Sequence, residues 1–426
     1  MNTMFIKKTN SDSVHVAVIG GGAAGMMAAA KAAQYGAAVT LFEKNDRLGK
    51  KLRITGKGRC NLTNDCDRDE FFANVPRNPR FLYAAYSNFS PEDTKAFFED
   101  AGVPLKTERG KRVFPVSDKA QDIVLAMQGK CRELGCRIIT ERVKRISAKD
   151  GKVTGVITAS KEYEFDAVIL ATGGRSYPLT GSDGDGYKMA RELGHTITDI
   201  VPSLVPIVED GRICASMQGL SLKNIKLTVL ESKSGKAVFA DFGELMFTHF
   251  GLTGPLVLSA SAHLRDIGCG KYTAEIDLKP ALDEKTLDAR IISDFTKYNN
   301  KDFINSLGGL LPQKMIETVV GLSGIDGRKK CNSITKEERK TLVNLLKNFR
   351  IPLLRFRPIE EAIITSGGIE VKEINPKTME SKLVRGLYFA GEIIDVDAYT
   401  GGFNLQIAFS TAALAGENAA INNYEV

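Results

Sequence analysis

Val14-His-Val-Ala-Val-Ile-Gly-Gly-Gly-Ala-Ala-Gly25 is the stretch that decides the fold of this chain. An apolar run ends in a glycine-rich turn, and the small-residue segment that follows it predicts a helix. The next apolar run, Val39-Thr-Leu-Phe42, ends at an acidic residue, Glu43. A strand, a glycine turn, a helix and a second strand ending in an acid are typical of a dinucleotide-binding βαβ unit.

Each glycine of the turn has a separate physical role. Gly20 permits the tight turn, Gly22 lets the backbone approach a pyrophosphate at the start of the helix, and Gly25 lets the helix pack closely on the strand. The Glu43 carboxylate can accept hydrogen bonds from ribose hydroxyl groups and would repel a 2′-phosphate. The pattern therefore favours FAD or NAD over NADP.

The C-terminal part of the chain distinguishes between these two dinucleotides. Residues 383–406 combine a buried strand, an Ala-Gly-Glu turn and a Gly-Gly step into an apolar helix near Gly402. We expect Glu392 to bind a ribityl hydroxyl group, and the start of the helix to face the N1/O2 edge of a flavin, where negative charge accumulates on reduction. A third segment, residues 167–174, is another buried strand ending in small residues. The three segments predict FAD, bound non-covalently because the glycine turn contains no histidine or cysteine.

Longer signatures in this chain resemble a known family. They are Arg47-Leu-Gly-Lys-Lys-Leu52, Thr55-Gly-Lys-Gly-Arg-Cys-Asn-Leu-Thr-Asn64, Arg112-Val-Phe-Pro-Val-Ser117, Thr180-Gly-Ser-Asp-Gly-Asp-Gly-Tyr187, Phe247-Thr-His-Phe-Gly-Leu-Thr-Gly-Pro255 and Thr400-Gly-Gly-Phe-Asn-Leu-Gln406. In this order they resemble the BaiN-like (YhiN-type) flavoproteins of the glutathione-reductase-like FAD superfamily. The resemblance implies an FAD-dependent oxidoreductase that transfers hydride through flavin N5. Phe403 stands where many members have tyrosine, and Lys57 where many have glycine.

The pattern and the resemblance together imply FAD contacts from well-separated parts of the chain. These are Gly20, Gly22, Ala23, Ala24, Gly25, Glu43, Lys44, Lys51, Gly58, Arg59, Cys60, Asn61, Val143, Ala171, Thr172, Gly173, Gly391, Glu392, Gly402, Phe403, Asn404 and Leu405. NAD(P)H is a candidate electron donor, although the sequence shows no second dinucleotide-binding unit.

The middle of the chain predicts an interruption of the α/β pattern. Alternating stretches such as Ile225-Lys-Leu-Thr-Val-Leu230 predict antiparallel strands, and helical periodicity then takes over up to about Arg350. We expect an α/β fold with a Rossmann-like FAD-binding domain in two segments, an inserted β-rich, barrel-like domain and a helical subdomain. The expected boundaries are 1–201 and 355–426 for the FAD-binding domain, 202–282 for the β-rich domain and 283–354 for the helical subdomain. Ser333 is expected to cap the helix that follows it.

Cysteine and tyrosine supply the candidates for catalysis. Cys60 follows Lys57 and Arg59, cations that would lower the pKa of its thiol. It is therefore either a reactive residue beside the flavin or a small side chain packed in the glycine-rich loop. Tyr399 borders a predicted flavin loop and is a candidate for the proton donor that hydride transfer to an enone requires.

The remaining cysteines and the histidines have no pattern of a redox or metal centre. Cys131 and Cys136 share the C-x4-C spacing of a redox pair, but they lie at the end of a predicted helix and the start of a strand, so we expect core thiols. The four histidines have no metal-ligand spacing, and we expect no metal.

Charge is concentrated in one region. Residues 283–357 contain 15 Lys or Arg and nine Asp or Glu, so they carry +6 of the formal net charge of +7. This region is either a solvated helical face or a phosphate-binding surface. The resemblance implies several activities: redox chemistry on a C=C bond conjugated to a carbonyl, reduction of uridine in ribosomal RNA to dihydrouridine, or amine oxidation. A non-enzymatic, flavin-bound protein that docks on the ribosome is a further alternative.

Location follows from patterns that are missing. The sequence has no apolar run of ~18 residues and no signal peptide. Seven cysteines without framework spacing suit a reducing compartment. We therefore expect a cytoplasmic protein without a membrane partner.

Overall fold

The structure, a computed structural model, describes residues 13–264 and 266–421. Residues 1–12, the charged segment for which we expect no signal peptide, lie outside the described residues. The chain divides into two compact units. Met1–Pro202 and Ala362–Val426 form the first unit, and Ser203–Glu361 form the second.

A five-stranded parallel sheet is the centre of the first unit. Its strands, in spatial order, are Leu387–Phe389, Ala167–Leu170, His15–Ile19, Ala38–Phe42 and Arg137–Ile139. Ile19 lies opposite both Leu170 and Phe42, so the carboxyl ends of the three central strands are level. The strands are apolar almost throughout because a parallel sheet is covered on both faces.

Helices and two small antiparallel sheets complete the first unit. Its helices are Ala23–Gln34, Arg68–Ala73, Tyr83–Asn88, Pro91–Asp100, Ala120–Glu133, Asp185–Glu192 and Phe403–Ile421. The small sheets contain Thr63–Asn64, Leu105–Glu108 and Arg112–Pro115 in one, and Arg145–Lys149, Lys152–Ile157 and Glu162–Glu164 in the other. Further short elements are Leu52–Gly58, Pro79–Leu82, Pro178–Thr180, Val201–Ser203, Ile364–Ser366, Val371–Glu373 and Gly391–Ile393. The first helix and the C-terminal helix pack against each other through small residues.

A closed barrel is the centre of the second unit. Its strands, in spatial order, are Ile207–Glu209, Gly251–Thr253, Ala237–Phe247, Ser221–Glu231, Tyr272–Asp277 and Phe349–Phe356. Tyr272–Asp277 alternates buried and half-buried residues, as a strand with one face in a core should. The predicted α/β class with an inserted β-barrel is confirmed. The expected boundary between residues 354 and 355 falls inside the last strand, which pairs with two others to close the barrel.

Helices follow three of the six barrel strands within the second unit, and more helices come before the last strand. They are Ile213–Ser216, Pro255–Ser261, Glu284–Lys297, Phe303–Ser306, Gln313–Ser323 and Lys336–Lys347, with short turns at Leu307–Gly309, Cys331–Ser333 and Ile359–Glu361. The expectation that Ser333 caps a helix is wrong. Thr335 is the cap, because its hydroxyl accepts from the Glu338 N–H and the Glu338 carboxylate accepts from the Thr335 N–H. No helix of the described residues is long and apolar enough to cross a membrane.

Candidate FAD site

The carboxyl ends of the parallel strands carry many of the expected FAD contacts. The segments that directly follow four strands begin with Gly20, Glu43, Ala171 and Ala390, and Val143 lies in the loop after the fifth. Ligands of open parallel sheets bind outside these ends. The fold therefore brings together residues that are far apart in the sequence.

The glycine turn has the geometry expected for a pyrophosphate site. Gly20 has φ +105°, and a Cβ on it would lie 2.6 Å from the Ala171 carbonyl oxygen. A Cβ on Gly25 would lie 1.7 Å from the Gly20 carbonyl oxygen, so only glycine permits this contact. A Cβ on Gly22 would meet nothing within 4 Å. The helix Ala23–Gln34 begins there without a side-chain cap, so its first N–H groups can bind an anion in the open space.

Glu43 is fixed beside this turn. Its Oε2 accepts from the Gly21 N–H at 2.8 Å, and its Oε1 accepts from the Asn45 backbone and side-chain nitrogens at 2.8 and 2.7 Å. The neighbouring Lys44 pairs with Asp183 at 2.6 Å, so this cation is already paired within the protein. A buried, oriented carboxylate at the end of the second strand is where an FAD site would hold ribose hydroxyls.

Lys51 and Glu392, two expected FAD contacts, bind each other. The Lys51 ammonium lies 2.7 Å from Glu392 Oε2 and 2.7 Å from the Ser176 hydroxyl oxygen. Glu392 Oε1 also accepts from the Thr365 N–H at 2.9 Å and from the Ser176 hydroxyl at 3.3 Å. A Cβ on Gly391 would lie 2.7 Å from the Ala24 Cβ, which places this turn against the first helix. The roles of Ser176 and Thr365 could not be predicted from the sequence, because the two residues come from separate segments.

The start of the C-terminal helix is held in place by polar side chains. Gln406 Oε1 accepts from the Thr63 and Thr94 hydroxyls at 2.6 and 2.8 Å. Asn404 accepts from the Ala398 N–H at 2.9 Å and donates to the Ala398 carbonyl oxygen, so its side chain closes the preceding loop. Gly402 has φ +103°, and a Cβ on it would lie 2.3 Å from the Thr63 carbonyl oxygen. The helix begins at Phe403, close to the expected position at Gly402.

Cys60 differs from the expectation. It is fully buried, and burial raises the pKa of its thiol to about 12, although a hydrogen bond with Thr55 acts in the opposite direction. The expectation that neighbouring cations lower this pKa is wrong, because Arg59 is paired with Glu108 and with Asp118, the latter at 2.6 Å. Desolvation of the thiolate therefore decides the sign of the shift.

Four buried polar atoms have no hydrogen-bond partner among the described residues: Arg53 Nε, Asn61 Oδ1, Asn64 Oδ1 and Thr172 Oγ1. Asn61 and Thr172 belong to the expected FAD contacts. Buried polar groups are nearly always paired in folded proteins, so unpaired ones mark places where a ligand or water completes the structure. With the open space at Gly22 and the uncapped first helix, these atoms show that the residues present fit FAD.

Tyr399 lies at the end of a loop that is fixed at its start and at its end. Asp395 is buried and forms an ion pair with Arg77, and its carbonyl oxygen accepts from the Asn78 side chain at 2.6 Å. The Tyr399 N–H donates to the Asn74 carbonyl oxygen at 3.0 Å. These bonds define the position of the Tyr399 backbone. The tyrosine side chain is half-buried, so part of it is accessible from outside.

Cys131 and Cys136 are buried against the first helix. Their thiols donate to the carbonyl oxygens of Met26 at 3.4 Å and Ala29 at 3.5 Å. Both are free cysteines, and a hydrogen bond with the Cys136 thiol raises the pKa of Cys131; that the two are core thiols rather than a redox pair stays a prediction. Within the described residues, no group of three or more His, Cys, Asp or Glu could hold a metal ion.

Comparison with known proteins gives a consistent result. The family described as HI0933-like protein Rossmann domain matches residues 14–418. The 3-dehydro-bile acid delta(4,6)-reductase of Clostridium scindens is 31% identical over 412 residues, which cover 95% of this chain and 98% of the relative. The ribosomal RNA dihydrouridine synthase of Haemophilus influenzae is 31% identical over 405 residues, which cover 93% and 96%.

A solved structure supports the fold. The 3-ketosteroid delta1-dehydrogenase of Sterolibacterium denitrificans, in complex with 1,4-androstadiene-3,17-dione, aligns with 97% of this chain and 100% of its own. The TM-score is 0.51 and the sequence identity is 14%. At this identity the likeness concerns the fold alone.

Proposed function

Because the chain belongs to the HI0933-like Rossmann-domain family, we propose that this FAD-dependent oxidoreductase reduces a carbon–carbon double bond conjugated to a carbonyl group. One observation carries the proposal: two relatives match nearly the whole chain at the same identity, and their names describe reactions on the same kind of bond. Dihydrouridine differs from uridine by two hydrogens across a C=C bond next to a carbonyl. A 3-keto bile acid with delta(4,6) unsaturation contains the same conjugated group.

The protein residues have three tasks in such a reaction. When bound, FAD supplies the hydride and stores electrons between the two half-reactions. The turn at Gly22 and the start of the first helix bind the phosphates, which fixes the cofactor. The start of the helix Phe403–Ile421 would present the positive end of its dipole to a bound flavin and would stabilise negative charge there. A proton must also reach the carbon next to the carbonyl.

Tyr399 is the better candidate for this proton donor. Its backbone is fixed on both sides, by the Asn74 carbonyl oxygen and by the Asn404 side chain, which donates to the Tyr399 carbonyl oxygen at 3.2 Å. Its side chain is half-buried, so a substrate can reach it. Cys60 is fully buried, and a thiol with a pKa of about 12 is a poor nucleophile at neutral pH. We therefore assign Cys60 to packing of the glycine-rich loop.

NAD(P)H is the proposed electron donor. It would approach the flavin directly, because the described residues contain one parallel sheet with a glycine turn of the dinucleotide type. A cytoplasmic location is proposed as well. It suits seven cysteines that are all free and a dependence on a reduced nicotinamide cofactor.

Anaerobic half-reactions test the proposal. The protein with its flavin reduced by NADH or NADPH is mixed with a steroid enone, with the corresponding saturated ketone as control. The enone is expected to reoxidise the flavin and to gain two hydrogens by mass, whereas the saturated ketone does neither. Failure of every conjugated enone and of uridine-containing RNA to reoxidise the flavin would contradict the proposal. Flavin reduction by amines would instead identify an amine oxidase.

Uridine in ribosomal RNA is the second candidate substrate. The Haemophilus influenzae relative and the excess of basic residues in 283–357 favour it. Two cations of the densest basic cluster are paired within the protein: Lys329 with Glu338 at 2.7 Å and Lys330 with Asp302 at 2.8 Å, and both acids are already included in the net charge of this region.

A triple substitution of the densest basic cluster tests the RNA alternative. Changing Arg328, Lys329 and Lys330 to glutamate should weaken RNA binding and flatten its salt dependence, because fewer counterions are released. The flavin content should not change, because these residues lie in the second unit. Absence of RNA binding by the parent protein at ~50 mM salt, or unchanged binding by the variant, would contradict this alternative.

A further inference from the structure

The side chain of Asn64 is buried, oriented and half satisfied. The residue is 4% exposed, and its Nδ2 donates to the carbonyl oxygens of Gly110 at 3.1 Å and Gly401 at 3.0 Å. Its Oδ1 is buried and has no partner among the described residues. Turning the amide over would place Oδ1 against two carbonyl oxygens, so the two donor bonds fix which way the acceptor faces.

This acceptor lies next to the start of the C-terminal helix. Gly401, which accepts from Asn64, lies two residues before Phe403, at which the helix begins. The neighbouring Thr63 donates from its hydroxyl to Gln406 Oε1 at 2.6 Å, in the first turn of that helix. The first N–H groups of an α-helix have no carbonyl partner within the helix. One fixed acceptor and several free donors are therefore adjacent here.

A flavin pyrimidine edge has the complementary pattern. Its O2 and O4 are acceptors, and the N3–H between them is the donor on this edge. A buried carbonyl-type acceptor without a donor destabilises a folded protein, so a partner for Asn64 Oδ1 is expected in the functional protein. We propose that Asn64 Oδ1 accepts the hydrogen bond of flavin N3–H, while the helix start donates to O2. Asn64 is then a residue that orients the flavin ring.

The inference rests on FAD binding, which the proposed function requires, and not on the identity of the substrate. Asn61 provides the matched comparison, because it lies three residues earlier, just before the strand Thr63–Asn64, and its Oδ1 is also buried without a partner among the described residues. Unlike the Asn64 side chain, the Asn61 side chain does not hydrogen-bond to the backbone beside the helix start. The two residues therefore make different predictions.

Binding of two flavins tests the assignment. Apoprotein is titrated with FAD and with N3-methyl-FAD, which lacks the N3–H donor. The unmutated protein should bind the methylated flavin at least about tenfold more weakly, the equivalent of one lost hydrogen bond. Asn64→Ala should bind FAD about tenfold more weakly and no longer distinguish the two flavins. Asn61→Ala should still distinguish them.

Three outcomes would overturn the assignment. The first is equal binding of FAD and N3-methyl-FAD by the unmutated protein, and the second is a preference for FAD that is fully retained in Asn64→Ala. The third is loss of this preference in Asn61→Ala alone, which would assign the contact to Asn61. If Asn64→Ala does not fold, the contact is tested instead in the unmutated protein with bound 15N-labelled FAD, by measuring the hydrogen exchange rate of N3–H. Slow exchange is expected, and exchange as fast as in free FAD would refute the contact. A purified protein that releases no FAD on denaturation would instead refute the proposed function.

Discussion

Gly22→Val separates binding of the cofactor from folding of the protein. Gly22 has φ −82° and ψ −165°, an extended conformation that valine adopts readily, and a Cβ there meets no heavy atom within 4 Å. The apoprotein should therefore keep its stability to within about 1 kcal/mol. The valine methyl groups would occupy the space through which a pyrophosphate reaches the helix N–H groups. Loss of two charge-assisted hydrogen bonds, at about 1.5–3 kcal/mol each, amounts to at least ~3 kcal/mol, or an affinity for FAD lower by about 100-fold.

Fluorescence titration of apoprotein with FAD measures the affinity, and thermal unfolding of the same apoprotein measures stability. Gly129→Val is the matched control, because Gly129 lies in the helix Ala120–Glu133 and a Cβ there also meets nothing within 4 Å. It should bind FAD as the parent does. Gly25→Ala should lose both stability and FAD, since its Cβ would lie 1.7 Å from a carbonyl oxygen. Parental FAD affinity in Gly22→Val would refute the assignment of the turn to the pyrophosphate.

Three further substitutions address single side chains. Lys51→Met should lower the free energy of unfolding, measured by chemical denaturation, by about 1–3 kcal/mol, because Glu392 loses its cation. The control Lys50→Met removes a pair with the exposed Asp46 and should lower the free energy of unfolding by less than ~1 kcal/mol. Cys60→Ala should retain FAD and turnover. The folded thiol keeps its proton up to about pH 12, whereas the unfolded thiol loses its proton above its ordinary pKa of about 9. The free energy of unfolding of the parent should therefore fall as the pH rises above about 9, and that of Cys60→Ala should fall less. Tyr399→Phe should slow flavin reoxidation by an enone about 100-fold in stopped-flow measurements and leave flavin reduction unchanged, and parental reoxidation would exclude Tyr399 as the proton donor.

The glycine turn could be predicted because its cause is local. Gly20 and Gly25 are required by contacts within the same βαβ unit or at its sheet edge, whereas Gly22 leaves open space at the start of the helix, and the spacing of the three glycines records this geometry. The helix at Phe403 could be predicted for the same reason, since a Gly-Gly step precedes a long apolar run. The helix cap was predicted at Ser333 instead of Thr335 because the two hydroxyl residues lie two positions apart and have similar chemistry.

The environment of Cys60 could not be read from its neighbours in the sequence. Arg59 looks like an activating cation until Glu108 and Asp118 are placed beside it, and both come from later segments. Burial of the thiol likewise depends on tertiary packing. The polar environment of Glu392 is equally distributed, because Lys51, Ser176 and Thr365 come from three different parts of the chain. Properties set by long-range contacts have no signal in a local pattern.

These internal bonds also bear on how one cofactor site can serve different substrates. Glu43 and Glu392 are each held by bonds from the protein before any ligand binds. Of the four buried polar atoms that lack partners among the described residues, Asn61 Oδ1, Asn64 Oδ1 and Thr172 Oγ1 are neutral, and Arg53 Nε belongs to a guanidinium group. Such a site is already organised for the flavin, and binding requires little rearrangement of charge. We infer that the choice of substrate depends on residues away from the strand ends; two relatives of equal identity carry different substrate names.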